Sequence, residues 1–237
     1  MQQNKISILS TRPLPQALVD EAAEQNIIID LLSFIETEPI QSVEVQQEIE
    51  QALLRYAVVI FTSMNAVEAV AAYMQSTTPD WLIYCIGQTT LRLVEKYFGE
   101  ASIGGTANNA TELAELVARD APANELIFFC GDQRRNELPD ILRGHDMEVL
   151  EITVYHTIST PHAIDKKYNG ILFFSPTAAE SFFSKNKAST NTILFAIGNT
   201  TTDTLKKHST ATVITAGTPG KDSLVEKVIN YFVNEER

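Results

Sequence analysis

Ile86-Gly87-Gln88-Thr89-Thr90 returns 111 residues later as Ile197-Gly198-Asn199-Thr200-Thr201. Each copy follows a short apolar run, Leu82 to Cys85 or Ile193 to Ala196, and precedes a segment of helical spacing, Leu91 to Tyr97 or Thr202 to His208. That pattern reads as strand, glycine turn, helix N-terminus. Such a turn offers free backbone N–H groups to an anion. The echo predicts a duplicated α/β architecture.

Working outward, the duplication extends along the chain. Phe61, Ser63, Ala66 and Glu68 recur as Phe173, Ser175, Ala178 and Glu180, displaced by 112, and Leu113 to Val117 recurs at Leu224 to Val228, displaced by 111. Ile8 to Ser10 with Leu18, Asp20 and Thr37 matches Phe128 to Cys130 with Leu138, Asp140 and Thr157, displaced by 120. Two similar domains follow, read in the order X, Y, X, Y; which X pairs with which Y does not follow from the repeat.

Strand candidates are Ile6 to Ser10, Asn26 to Phe34, Val58 to Phe61, Leu82 to Cys85, Ala101 to Ile103, Leu126 to Cys130, Val149 to Val154, Ile171 to Phe174, Ile193 to Ala196 and Val213 to Thr215. Helical segments of 10 to 15 residues alternate with them, which predicts βαβ units and parallel sheets covered on both faces. Gly104-Gly105-Thr106 and Gly217-Thr218-Pro219-Gly220 read as loops, and Ile35 to Ser42 and Tyr155 to Pro161 as extended connectors. Ser63, Asn109 or Thr111, and Ser175 are placed to cap helices, with Pro176 at the first helical position.

The 237 residues are 44% apolar and 20% charged, as in a soluble globular chain of two domains. No signal-like segment precedes the first strand, and no apolar run approaches the roughly 18 residues of a membrane span, so a cytoplasmic protein is expected. Thirty acidic against eighteen basic residues give a net charge of −12. That balance argues against nucleic acid or an anionic membrane as partner, although local arginines and helix N-termini can still hold a polyanion in a cleft. Nothing in the sequence demands an oligomer. Cys85 and Cys130 lie in apolar runs and read as buried reduced thiols.

No cofactor motif survives inspection, so none is expected. The Gly217 to Lys221 stretch has too short a glycine spacing for a phosphate loop, and Asp222 stands where Ser or Thr is required. No Gly-x-Gly-x-x-Gly follows the first strand. His145, His156, His162 and His208 lack metal-ligand spacing and read as surface residues. Neither Ser63 nor Ser175 has the flanking glycines of a nucleophilic elbow, and Arg134-Arg135 reads as a solvated helix start. Placement is what makes a site: Arg12, Ser63, Gly87 to Thr90, Ser175 and Gly198 to Thr201 all follow strand C-termini, the edge at which parallel α/β sheets bind ligands. Two such edges facing one another would line a cleft with N–H donors and hydroxyls and almost no strong acid or base, suited to holding a polyanion in shape.

The ordered set Phe61 to Val67, Ile86 to Thr90, Gly131 to Arg134 with Leu138-Pro139, Val154-Tyr155-His156-Thr157, Phe174 to Ala178 and Ile197 to Thr201 resembles the uroporphyrinogen-III synthase family from Ile6 to the C-terminal helix. Asn199 departs from the family's usual Gly-Pro-Thr-Thr turn but leaves the threonines in place. The resemblance implies two flavodoxin-like α/β domains, residues 1–36 with 160–237 and residues 42–152, joined by linker strands at 37–41 and 153–159. It implies a monomeric, cofactor-independent lyase that cyclises hydroxymethylbilane, a linear tetrapyrrole polycarboxylate, with loss of water and inversion of ring D through a spiro intermediate. Tyr155 matches the family's cleft tyrosine and would be the proton donor. Arg12, Ser63, Gly87, Thr89, Thr90, Ser175, Gly198, Thr200 and Thr201 would hold substrate carboxylates. The rival expectation is a two-lobed protein that closes on a small anion without chemistry.

Overall fold

Short parallel strands alternate with helices throughout the computed structural model, which describes residues 5–74, 78–218 and 220–235. Pro219 of the expected Gly217 to Gly220 loop lies outside the described residues. The chain opens with β1 (Ile6–Ser10), α1 (Gln16–Glu24), β2 (Ile27–Leu31) and β3 (Ile35–Pro39). It continues through α2 (Val43–Leu53), β4 (Ala57–Phe61), α3 (Met64–Ala71), β5 (Trp81–Ile86), α4 (Gln88–Phe98) and β6 (Ile103–Ala107). Next come α5 (Ala110–Asp120), β7 (Glu125–Gly131), α6 (Glu137–Gly144) and the twelve-residue β8 (Glu148–Ser159). The last third is β9 (Gly170–Phe173), α7 (Pro176–Phe183), β10 (Ile193–Ala196), α8 (Asn199–His208), β11 (Val213–Thr215) and α9 (Lys221–Glu235).

Two compact units result. Thr37 to Thr157 form the continuous one, and the described residues up to Glu36 and from Ile158 onward form the other. The continuous unit carries a sheet of order β3-β8-β7-β4-β5-β6, and the discontinuous unit one of order β11-β10-β9-β1-β2. The repeats explain the likeness of these orders. By the displacement of 120, β1 is the counterpart of β7; by the displacements of 111 and 112, β9 and β10 are counterparts of β4 and β5. Hence β2-β1-β9-β10-β11 and β8-β7-β4-β5-β6 are one arrangement, entered by the chain at different strands.

Every pairing with a stated register in both sheets is parallel. Strand β3 runs the other way along β8: Ile40 N–H donates to Val154 O at 2.9 Å and Thr160 N–H to Phe34 O at 3.0 Å, so one residue number rises as its partner's falls.

Alternation along each strand sorts its side chains onto two helix-covered faces, as strand geometry requires. In the continuous unit Val59 and Phe61 join Val67, Val70, Val94 and Phe98, while Val58 and Ile60 join Leu113, Val117, Leu138 and Leu142. In the other unit Ile8 and Leu172 pack with Leu18, Leu224 and Val228, and Leu9 and Phe173 pack with Ala178, Phe182 and Leu205.

Three expected boundaries are corrected. The strand predicted to stop at Val154 continues through Tyr155 to Ser159, because its ladder with β7 absorbs an irregularity at Cys130/Gly131 and goes on to pair Gly131 with Tyr155. Gly104 and Gly105 belong to β6 rather than a loop: a Cβ on either would meet the Tyr84 ring or Leu116 at 2.7 to 2.8 Å, so the glycines let side chains lie against the strand. Strand β2 ends at Leu31, and Phe34, expected within it, is fully buried beside Phe182 with ring centroids 5.3 Å apart.

Asp30 of β2 is gripped by the segment leading into β9: Lys166 Nζ lies 2.6 Å from its carboxylate and Tyr168 donates its hydroxyl at 2.8 Å. The Lys166 hydrogen bond, then that of Tyr168, holds the Asp30 carboxyl below its ordinary value, and burial together with the same contact pushes the Tyr168 phenol up. A depressed carboxylate contributes stability that is full above its unfolded pKa of about 4 and is lost as pH falls through the lower folded value. Asp30→Asn is therefore expected to flatten the loss of stability below about pH 4, measured by denaturant titration across pH; a slope equal to wild type would contradict the assignment.

Candidate functional site

In the continuous unit the chain leaves β4 toward β5 on one side and returns on the other as β7. Ligands of parallel sheets bind in the crevice at such a switch of direction, outside the strand C-termini. There a depression of about 270 Å³ is lined by Thr62 and Ser63 after β4, Gly131 and Arg134 after β7, Leu138 of α6 and Tyr155 of β8. A smaller one of about 150 Å³, with Thr37, Asn65 and Glu68 in its wall, also touches Tyr155.

Ser63 is the N-cap of α3, accepting the Asn65 N–H at 3.2 Å. It also accepts the Tyr155 hydroxyl at 3.1 Å. The sequence reading of Ser63 as a cap holds, and the cap lies on the wall of the larger depression. The Tyr155 main chain is fixed as well: its carbonyl accepts Asp132 N–H at 3.1 Å, and Asp132 Oδ1 accepts Thr157 N–H at 2.9 Å. Arg134, expected to be solvated, instead pairs with Glu151, which also binds Arg143 at 2.7 Å. The signal that could have found it is the carboxylate two pleats before Tyr155 on the neighbouring strand; Arg135 is exposed as expected.

The discontinuous unit changes direction between β1 and β9. Thr11 locks that junction, its N–H and hydroxyl both donating to Leu172 O at 3.1 and 2.7 Å. Arg12 follows on the surface, and Ser175 caps α7 by accepting Ala178 N–H at 3.1 Å. Lys221, at the start of α9, was passed over in sequence because its glycine loop fails as a phosphate motif. It donates to Pro13 O at 3.0 Å, and its ammonium is held below the ordinary lysine value by burial and by the nearby charge of Arg12. Two cations thus gather at this edge of an acidic protein.

The twin turns differ in detail. Gly87 has φ 79°, which favours glycine, whereas Gly198 at φ −176° is extended backbone open to any residue. Neither contributes a side chain, so the first turns of α4 and α8 have no side-chain cap. Thr89 and Thr200 are exposed. Thr90 and Thr201, at 5% and 1% exposure, are packed inward, which leaves the surface role at each turn to the preceding threonine and the backbone.

Burial raises both cysteine thiols, and Cys85 and Cys130 are free and buried, as read from their apolar runs. All four histidines are exposed or partly so, with His145 and His156 on the surface of the continuous unit. Among the described residues no group of three or more His, Cys, Asp or Glu is placed to hold a metal ion, and no helix is long and apolar enough to cross a membrane.

The profile of HEM4, uroporphyrinogen-III synthase HemD, matches residues 16–226. A protein of Chlorobaculum parvum described as uroporphyrinogen-III synthase is 25% identical, covering 85% of this chain and 89% of its own. Crystal structures of uroporphyrinogen-III synthetase from Helicobacter pylori (16% identity, TM-score 0.65, 95% of this chain and 99% of that one) and of a mutant uroporphyrinogen III synthase from Thermus thermophilus (12%, 0.60, 97% and 99%) share the fold.

Replacing Ser175 by Ala removes the cap of α7 and is expected to cost about 1 kcal/mol in chemical unfolding. A loss below a few tenths would mean that the hydroxyl does not carry the helix end.

Proposed function

The chain belongs to the uroporphyrinogen-III synthase family of cofactor-independent cyclising lyases in tetrapyrrole biosynthesis, and on that premise we propose which of its residues serve the reaction. The substrate is hydroxymethylbilane and the product uroporphyrinogen III. The observation that carries the assignment is the Tyr155 hydroxyl, 3.1 Å from Ser63 at the switch point of the continuous unit, on the wall of the larger depression there. Tyr155 gives its proton to the departing hydroxyl as the C–O bond breaks, water leaves, and an azafulvenium cation remains beside the tyrosinate. Attack on the substituted carbon of ring D forms a spiro intermediate, whose reopening and reclosure invert the ring. The proton released on rearomatisation restores the phenol.

Because the azafulvene closes unaided to the uninverted isomer, the protein's larger task is to hold the chain in a productive shape. A polycarboxylate suits the donors available: in the continuous unit Ser63, Thr89 and the N–H groups after Gly87; in the other Arg12, Ser175, Thr200 and the N–H groups after Gly198. Thr90 and Thr201 act through their backbone, and Lys221 adds charge beside Arg12. The reading includes a cytoplasmic monomer with neither nucleic acid nor membrane as partner, which sedimentation and fractionation test. A binding protein without chemistry, the rival reading, is not favoured by the family match.

Incubation with hydroxymethylbilane should yield isomer III in excess over isomer I; unchanged ligand in a tight complex would support the rival. Tyr155→Phe should lower turnover several-fold or more with the fold intact by circular dichroism, and wild-type turnover would remove Tyr155 from the mechanism. Single Ala replacements of Ser175, Thr89 or Thr200 should raise KM less than about tenfold, since each removes one of many hydrogen bonds. Complete loss of activity from any of them in a folded variant would contradict distributed binding.

A further inference from the structure

The residue under Tyr155 is glycine for a reason of space alone. A Cβ built on Gly131 would clash with the hydroxyl-bearing end of the phenol ring, 2.5 Å from Cε2 and 2.7 Å from the hydroxyl oxygen. The backbone there does not demand glycine, for the positive-φ glycines among the described residues are Gly87 and Gly99. Gly131 closes β7 opposite Tyr155 after the irregularity at Cys130/Gly131, so the end of the ring occupies the space a side chain there would need. The residue following the matching triplet in the discontinuous unit is Thr11, which is buried and bonded to Leu172. One unit therefore keeps a side chain at this junction and the other leaves the space to an aromatic ring.

We propose that Gly131 is a positioning residue for Tyr155: the missing side chain is the seat of the phenol, and Ser63 fixes the direction of its hydroxyl. Resting on the assignment of Tyr155 as proton donor, this deepens it by naming what aims the donor. Three restraints then converge on one ring. The Tyr155 carbonyl is held by Asp132 N–H, the end of the ring fills the space left open at Gly131, and the hydroxyl donates to Ser63 Oγ. A methyl group at Gly131 must push the ring away, lengthening the contact to Ser63 and moving the proton from the place where the leaving hydroxyl is met. Misplacement on the ångström scale is enough to cost one to two orders of magnitude in rate.

The test compares Gly131→Ala, Tyr155→Phe, Tyr155→Ala and Gly131→Ala/Tyr155→Ala, assayed below the unfolding midpoint of each. Gly131→Ala is expected to lower kcat several-fold, by no more than Tyr155→Phe does, with KM within about twofold. Its fall in unfolding midpoint should vanish in the Tyr155→Ala background, where the space is free. Wild-type kcat in Gly131→Ala, with Tyr155→Phe impaired, overturns the positioning role and leaves the proton-donor assignment standing. Wild-type kcat in Tyr155→Phe instead removes the assignment beneath it. Should Gly131→Ala fail to fold, the double variant decides: a midpoint equal to that of Tyr155→Ala supports the seat, and a further loss overturns it.

Discussion

Parallel pairing at β4 governs the continuous unit. With β5 on one flank and β7 on the other, the strands point their C-termini to one edge, and the chain must change direction there. A crevice is left where the connections part to opposite sides. Ser63, Gly131 and Tyr155 come together because they end or flank the strands at that parting. No long-range charge interaction is needed to assemble them. The same constraint acts at β1 and β9, where Arg12 and Ser175 are its products.

The chemistry that results is sparse. The depression beside Tyr155 offers hydroxyls, a glycine backbone, Arg134, whose charge is already matched by Glu151, and the exposed Arg135. Such a wall favours holding a ligand that carries its own reactivity over supplying strong acid or base. On the proposed reading rigidity matters more than reactivity, and the contacts of Tyr155 with Asp132 and Ser63 supply it.

Much of this was legible in the residues. The repeated Ile-Gly-x-Thr-Thr announces strand, turn and helix twice, and alternating apolar runs mark the buried strands, since both signals are local. What failed was non-local. Gly104-Gly105 looks like a loop until the Tyr84 ring is seen lying against it, and Tyr155 looks like a connector until β7 extends to meet it. Arg134 looked solvated because its partner Glu151 sits on another strand. The pairing of repeats was equally hidden, as two copies of each half-motif can be matched in either order. Tyr155 was singled out by the family resemblance alone, because its neighbours Ser63 and Gly131 lie at the ends of other strands and no local pattern brings the three together.

Entering one strand arrangement at two different points has a consequence for synthesis. The continuous unit draws its strands β4 to β8 from one stretch and can close as soon as that stretch has emerged. The other unit's interior strand β1 precedes that stretch, yet its neighbour β9 follows β1 by more than 150 residues, with Ile8 paired to Gly170. Until then β1-α1-β2 is a lone βαβ fragment with an unpaired inner edge, the kind of strand edge that invites wrong pairing. The triplet Ile8-Leu9-Ser10 must therefore wait for Gly170 to Leu172, and its unit is finished after the continuous one that lies between them.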